Sequence, residues 1–198
     1  MISTKVRPIF RVLLVGFIIL VVLSNQPYKI NLGLITGEWT TYQDSQVQLT
    51  IDYPGNWALY TAPIRGFNER RIVLVSKPFV YNVDKVPLGE ITIDHVILNE
   101  ASVDALVEWS QRYDCTKYGN FCNVLSPPQL EEYIVQDKQY FMRNYRRENN
   151  DGETILIRQI YLLRNIDGFV VSLRARETEF NLLIPYFKEF LNRIQLAS

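Results

Sequence analysis

The stretch ETILIRQIYLLRNIDGFVVSLRAR, residues 153–176, decides the fold class of this chain. Two long runs rich in β-branched residues are separated by the tetrapeptide NIDG at 165–168. An Asp-Gly pair between two such runs is a strong hairpin signal. We therefore predict strands over 153–164 and 168–176 that pair through this turn, and consecutive hairpins make antiparallel pairing the expected arrangement.

The residues upstream continue the strand pattern. A strand over 138–147 meets the next one across the turn sequence NNDG at 149–152. Near the start of the body, the sequence PGN at 54–56 supplies turn chemistry, and it predicts a β-hairpin in which Trp57 is a core residue beside the turn. The remaining predicted strands cover 47–53, 57–62, 70–77 and 89–98.

Two helices complete the predicted fold. The first starts at Ser102, an N-cap residue, and its apolar residues recur at helical spacing as far as 110. The second covers LLIPYFKEFLNRIQL at 182–196, with Pro185 placed in its first turn. This order of elements predicts an α+β fold, in which helices cover a twisted antiparallel sheet.

The N-terminal region contains the apolar run VLLVGFIILVVL at 12–23. Twelve residues of helix span about 18 Å, less than the roughly 30 Å hydrocarbon core. The run therefore suits a signal peptide cleaved near Ser24. Counted over 8–26, with Arg11 reaching back to the inner surface, it is also long enough for a transmembrane anchor.

Of the two alternatives we favour an uncleaved membrane anchor. Lys5, Arg7 and Arg11 precede the run, so the positive-inside rule keeps the N-terminus in the cytoplasm and places the body outside it. A secreted protein remains the alternative. The predicted organisation is an anchor or signal segment at 1–24, a tether at 25–46 and one α+β domain at 47–198.

The charge of the body argues against one class of partner. The chain has 21 basic and 21 acidic residues, and three of the basic ones precede Val12. The rest of the chain is therefore mildly acidic. We predict no nucleic-acid binding, because that function relies on a basic surface.

The two cysteines, Cys115 and Cys122, are separated by six residues. A zinc site needs four ligands, and His95, the only histidine of the chain, would leave one ligand missing. A redox pair of the thioredoxin type has the spacing C-x-x-C. In an exported domain a structural disulfide between Cys115 and Cys122 is the favoured interpretation, and no metal site or cofactor is predicted.

Four segments together resemble the PsbP-like domain superfamily, over about residues 40–196: YPGNW, SVDALVEW, QIYLLRNIDGFVVSLRARE and PYFKEFLNRI. That superfamily includes the extrinsic protein of the photosynthetic oxygen-evolving complex, a Ran-binding nuclear import factor and exported bacterial proteins of unknown role. The resemblance implies a PsbP-like sandwich and a role in binding or assembly. The membrane anchor and the cysteine loop depart from the family's pattern, and no binding residue is carried over.

Few residues suggest catalysis. In the strand 89–98, His95 shares a face with isoleucines, which favours a histidine at the edge of the core over a base. Glu90 and Asp94 share the opposite face, where a solvated surface is favoured over an acid–base or ligand site. No nucleophile-elbow, P-loop or dinucleotide sequence is present, so we do not expect an enzyme.

The late strands are rich in arginine. Within each strand the arginines share a face, and the three strands together could form an arginine band that includes Tyr140 and Tyr145. Such a band could bind an acidic protein or lipid headgroups, although a face of internal salt bridges is the favoured interpretation. The six residues are Arg143, Arg147, Arg158, Arg164, Arg174 and Arg176.

We therefore expect a membrane-tethered, exported binding or assembly module without enzymatic activity. The alternative is an enzyme or small-ligand-binding protein that uses a cleft between sheet and helices. A pigment- or cofactor-associated subunit is a third possibility, and it rests on the family analogy alone.

Overall fold

The computed structural model describes residues 38–64, 69–76, 89–118, 130–135, 137–148 and 152–197. Its elements, in chain order, are β1 (Trp39–Asp44), β2 (Leu49–Pro54), β3 (Trp57–Ile64), β4 (Glu69–Ser76), β5 (Gly89–Ile97), α1 (Val103–Tyr118), β6 (Leu130–Val135), β7 (Lys138–Glu148), β8 (Thr154–Arg164), β9 (Asp167–Arg176), α2 (Glu177–Asn192) and β10 (Gln195–Leu196).

A large antiparallel sheet forms the centre of the domain. Its strand order is β3-β4-β5-β9-β8-β7-β6, and each pair of neighbours is antiparallel. The opening stretch supplies β8 and β9, which lie inside this sheet with β5 and β7 beside them. The predicted α+β class and the antiparallel meander are confirmed.

The turn between β8 and β9 is tighter than predicted. Arg164 pairs with Asp167, so the turn consists of Asn165 and Ile166 alone, and Asn165 takes the left-handed conformation with φ 55°. Gly168 lies within β9 and not in the turn. A Cβ at Gly168 would lie 2.6 Å from the Cδ1 of Leu106, so the glycine allows α1 to pack closely on the sheet.

The first predicted hairpin is wrong, because its two strands belong to different sheets. β2 pairs with β1 on one side and with β10 on the other, while β3 pairs with β4. The PGN sequence is therefore a corner between the sheets. The amide of Gly55 donates to the carbonyl of Glu38 at 2.8 Å, and a Cβ on Gly55 would meet that oxygen at 2.8 Å.

The predicted tether is also too long. It includes residues 39–44, and these form β1, which pairs along β2 from Trp39 to Asp44. Trp39 and Tyr42 pack against the main core. The short alternating pattern was missed because only these two side chains and Asp44 turn inward.

The main core lies between the large sheet, α2 and the small sheet of β1, β2 and β10. Phe169, Phe187 and Phe190 are fully buried there, and Trp57 belongs to the same cluster, as predicted. The helix begins at Glu177, earlier than predicted, so Pro185 lies in its interior. The carbonyl that loses its hydrogen bond to Pro185 belongs to Asn181, which is exposed to water.

α1 covers the other face of the large sheet. Its N-cap is confirmed, because the amide of Ala105 donates to Ser102 Oγ at 3.3 Å. Leu106 packs in a second apolar cluster with Val96 and Val170. The helix continues to Tyr118, well past the predicted end. Cys115 therefore lies in helical backbone, while Cys122 lies outside the described residues, and the disulfide stays a prediction.

Two further strands were not predicted: β6, and β10, which follows the end of α2 at Asn192 where the helix was expected to continue to 196. β6 pairs with β7 from Leu130 to Val135 and forms one edge of the large sheet. Its pattern is weak because Val135 is its one fully buried side chain.

The predicted anchor, residues 1–24, lies outside the described residues. Within the part of the chain that the structure describes, neither helix is long and apolar enough to span a bilayer.

Candidate functional site

The side of the large sheet that faces α1 carries an unusual number of buried polar side chains. Strand alternation and register arrange them in rows across β4, β5, β9, β8 and β7. We call this set the polar face. It consists of Arg71, Glu90, Thr92, Asp94, Arg143, Tyr145, Gln159, Tyr161, Ser172 and Arg174, of which all but Glu90 are buried.

At one end of the polar face, Arg71 and Asp94 form a buried two-point ion pair. Arg71 Nη2 donates to Asp94 Oδ2 at 2.7 Å, and Nε donates to Oδ1. The guanidinium also lies 4.9 Å from the ring centroid of Tyr113 on α1. Burial alone would lower the pKa of Arg71, but the hydrogen bond and negative charge of Asp94 outweigh it and raise that pKa. The solvated surface expected at Asp94 is therefore wrong, because its carboxylate is buried against Arg71.

At the other end of the polar face, the side chains gather around the carboxylate of Asp114, which belongs to α1. Its carboxylate accepts from Tyr145 Oη and from Gln159 Nε2 at 3.1 Å. It also lies 3.7 Å from Arg143 Nη2 and 3.5 Å from Arg174 Nη2. Burial, reinforced by the charge of Asp114, strongly raises the pKa of Tyr145, so Tyr145 remains a protonated donor.

Sequence reasoning missed Asp114, although a signal was present. Leu106, Ser110 and Asp114 follow one another at intervals of four, so they share a face of the helix. Leu106 is fully buried, and a helix face that begins with a buried leucine and continues with Ser and Asp points polar groups at the sheet. The helix was predicted to end near 110, which hid this pattern.

Arg143 links the sheet to α1. Its Nη2 donates to Gln159 Oε1 at 2.6 Å and lies 3.5 Å from Ser110 Oγ. Its Nε and Nη1 are buried and have no hydrogen-bond partner among the described residues. Tyr161 donates to the same Gln159 oxygen at 2.9 Å, and burial raises the pKa of Tyr161 to about 12.

The six arginines do not form one band. Four of them lie on the α1 side: Arg143, Arg147, Arg174 and Arg176. Arg158 and Arg164 lie on the α2 side, because residues paired across neighbouring strands share a face and the partners of these two arginines point to α2. Tyr140 also packs on the α2 side. The expectation of a single surface failed because it assumed that faces would match from one strand to the next.

The two arginines of the α2 side are engaged in the core. Arg158 donates to Asn144 Oδ1 at 2.9 Å and stacks over Tyr133. Arg164 donates to the carbonyls of Val47, Gln48 and Ala197 at 3.0–3.1 Å, and so joins the small sheet to the large one. On the α1 side, Arg176 pairs with Glu153 at 3.0 Å near the sheet's end.

The three candidates for acid–base chemistry lie on both faces. His95 is buried on the α2 side, and its Nε2 lies 2.8 Å from Asp167 Oδ1. Burial would raise the pKa of Asp167, but hydrogen bonds from His95 and Arg164 outweigh it and lower that pKa. Glu90 and Asp94 lie on the α1 side, where Arg174 donates to Glu90 at 3.3 Å. Across the described ranges, no three His, Cys, Asp or Glu side chains gather as a metal site.

An exposed apolar group adjoins the polar face at the β6 edge. Leu130, Ile134 and Phe141 are 41%, 68% and 38% exposed, and they lie on the α1 side because Leu130 pairs with Arg143. We call these three residues the edge patch. Glu132 and Gln139 lie between them in the register.

The fold recurs in solved structures. The Ran-binding protein Mog1p of Saccharomyces cerevisiae matches 81% of this chain and 96% of its own, with 10% identity and a TM-score of 0.54. Cyanobacterial PsbP (CyanoP) of Synechocystis sp. PCC 6803 matches 81% of this chain and 94% of its own, with 11% identity and a TM-score of 0.50.

A crystal structure from Bacteroides thetaiotaomicron VPI-5482 is 11% identical, with a TM-score of 0.52. It matches 80% of this chain, which spans about half (48%) of that longer protein. No family model matches the sequence, and no curated protein sequence does so either. At such identities the likeness shows the fold alone.

Proposed function

From the premise that the chain has the PsbP-like fold that its sequence resembles, we propose that it is an exported, membrane-tethered binding module. In this proposal residues 8–26 hold the chain in the membrane, the body lies on the outer side, and the edge patch meets a protein partner. Mog1p is named as a Ran-binding protein, which illustrates a binding role on this fold without identifying a partner for this chain.

The observation that carries the proposal is the exposure of the edge patch on β6, the outermost strand of the described sheet. Within the described part of the sheet, β6 has a neighbour on one side only. An edge strand of this kind presents unpaired backbone donors and acceptors. A partner strand could therefore add to β6 through backbone hydrogen bonds, while Leu130 and Ile134 contact its apolar side chains.

A binding role is favoured over catalysis by the state of the acid–base candidates. His95 is held by Asp167 on one face, and Asp94 is held by Arg71 on the other. These groups do not converge on a common point where a substrate atom could lie. An acidic macromolecular partner held by arginine is less well supported, because Arg143 and Arg174 are 3% and 5% exposed beneath α1.

Site-specific photo-crosslinking in intact membranes tests the proposal. A photoreactive residue at Ile134 is expected to give a discrete crosslinked product. The same residue at Leu182, which is 46% exposed on α2, is the matched control and should not give that product. Phe141→Glu should abolish the product from position 134 because a charge interrupts the apolar surface. An absent product at 134, or the same product from 182, would show that the edge patch is not the binding surface.

The small-ligand alternative has a separate observation in its favour. The polar face contains buried donors without partners among the described residues. Such donors have no evident role in a purely macromolecular interface at the β6 edge.

A further inference from the structure

We propose that the polar face binds a small oxyanion, a carboxylate or phosphate group, over the row that contains Thr92, Ser172 and Arg143, where these three side chains donate to it. This inference goes beyond the partner surface proposed above and does not depend on it. Thr92, Ser172, Gln159 and Arg143 form one row across β5, β9, β8 and β7 in the register. All four side chains are buried, and they lie on the side of the sheet that α1 covers.

The first observation concerns the hydroxyl groups of Thr92 and Ser172. Thr92 and Ser172 are directly opposite each other on neighbouring antiparallel strands, where such side chains commonly hydrogen-bond to one another. They do not, and neither Oγ1 of Thr92 nor Oγ of Ser172 has a hydrogen-bond partner among the described residues. Thr92 is 1% exposed and Ser172 is 0% exposed. A fully buried hydroxyl without a partner is rare, so an acceptor between the two is expected.

The second observation concerns the guanidinium group of Arg143. Its side chain extends along the row as far as Gln159, which it contacts through Nη2. The remaining nitrogens, Nε and Nη1, carry three N–H groups and have no hydrogen-bond partner in the described structure. Because arginine N–H groups are donors only, a partner for them supplies acceptor oxygens, and a carboxylate or phosphate offers two or more at once.

The distribution of charge favours an anion over water alone. Asp94 is fully engaged by Arg71. Asp114 accepts from Tyr145 and Gln159 and approaches Arg143 no closer than 3.7 Å. Glu90, the third carboxylate, is 36% exposed at the rim, where solvent screens its charge. Asp114 meets the guanidinium of Arg143 through Nη2, at a distance longer than a hydrogen bond. The N–H groups on Nε and Nη1 are therefore open to the oxygens of an oxyanion.

Thermal unfolding of the full chain in detergent tests the inference, with sodium acetate, sodium phosphate or sodium chloride at pH 7 and equal ionic strength. A specific anion should raise Tm relative to chloride, by about 5–10 °C at a hundred times its Kd. The anion that gives the larger rise in Tm, acetate or phosphate, is the one that the site prefers. If neither anion raises Tm above the chloride value, the inference is overturned, and this measurement needs no variant.

The variant Thr92→Val/Ser172→Ala locates the effect. Replacing unpartnered hydroxyls by apolar groups of similar shape is nearly neutral, so its Tm in chloride should match that of the parent, while the rise with acetate or phosphate disappears. Thr50→Val on β2 is the control and should keep the rise. An equal rise in the double variant and the parent would overturn this location. A crystal structure grown with the stabilising anion that shows only water between Thr92 and Ser172 would overturn it too.

Discussion

Trp57 shows how much one side chain contributes where the two sheets meet. It is the first residue of β3, it is 2% exposed, and it belongs to the main core. Trp57→Ala should lower the free energy of unfolding by about 3–5 kcal/mol, because it leaves a large cavity. Chemical denaturation measures this loss. Tyr60→Ala in the same strand is the control, since Tyr60 is 59% exposed and surface changes cost little. An unchanged denaturation midpoint for Trp57→Ala would contradict this placement.

Tyr161 predicts how the protein responds to alkaline pH. Burial raises its pKa from 10 to about 12 in the folded state. The unfolded chain therefore loses this proton at lower pH than the folded one, so the stability that Tyr161 confers is complete below pH 10 and is lost as the pH rises to 12. A shift of this size corresponds to about 2–3 kcal/mol. Tyr161→Phe should flatten the fall in stability over that interval, as measured by denaturation at each pH.

The control for Tyr161 is Tyr60→Phe, which should leave the alkaline curve of the parent unchanged because Tyr60 is exposed. Identical curves for the parent and Tyr161→Phe would show that the Tyr161 hydroxyl ionises as readily in the folded protein as in the unfolded one.

At the residue scale, the sequence predicted the burial of Trp57 and the N-cap at Ser102, because each depends on nearby residues alone. It did not predict that Asp114 would accept from Tyr145 and Gln159, which are more than thirty residues away. Contacts of that kind depend on which strands are neighbours. The local pattern of a single sequence does not show which strands will be neighbours in the sheet.

At the element scale, the helix α1 bears on the predicted disulfide. Cys115 lies in the helix, and a bond to Cys122 would tie its last turns to the segment that follows. Closing a loop of eight residues contributes about 2.5 kcal/mol in the chain-entropy model. Cys115→Ala/Cys122→Ala should lose that amount under oxidising conditions and match the parent when a reductant is present. Mass spectrometry after alkylation without reductant checks the bond, and two alkylated thiols on natively purified protein would contradict it.

The elements that sequence predicted well are those with long patterns. β5, β7, β8 and β9 have at least nine residues each, and periodicity identifies such strands reliably. β1 and β6 bury one side chain each, so their alternation is too weak to recognise, whereas β2 has the same length but buries three. The start of α2 was misplaced because Pro185 resembles a first-turn proline. It lies in the middle of the helix instead, where its exposure to water makes it tolerable.

At the scale of the whole molecule, the topology prediction remains to be tested. Lys5, Arg7 and Arg11 precede the apolar run, so the body should lie outside the cytoplasm and stay attached to the membrane. N-terminal sequencing and alkaline carbonate extraction separate the alternatives. An intact Met1 in the membrane pellet supports the anchor, and a start near Asn25 in the released fraction supports cleavage and contradicts the tether. A body that external protease cannot reach would contradict the orientation itself.

The small sheet has a consequence for the time at which this protein can finish folding. β2 lies between β1 and β10, and Arg164 binds the carbonyls of Gln48 and Ala197 together. β10 is thus synthesised after every other element of the described structure, while its partner β2 is among the first. A ribosome or export channel that still holds residues 195–197 keeps β2 without its second neighbour. The small sheet is therefore complete only once residues 195–197 have left the ribosome or channel, and until then the edge of β2 that β10 covers stays unpaired.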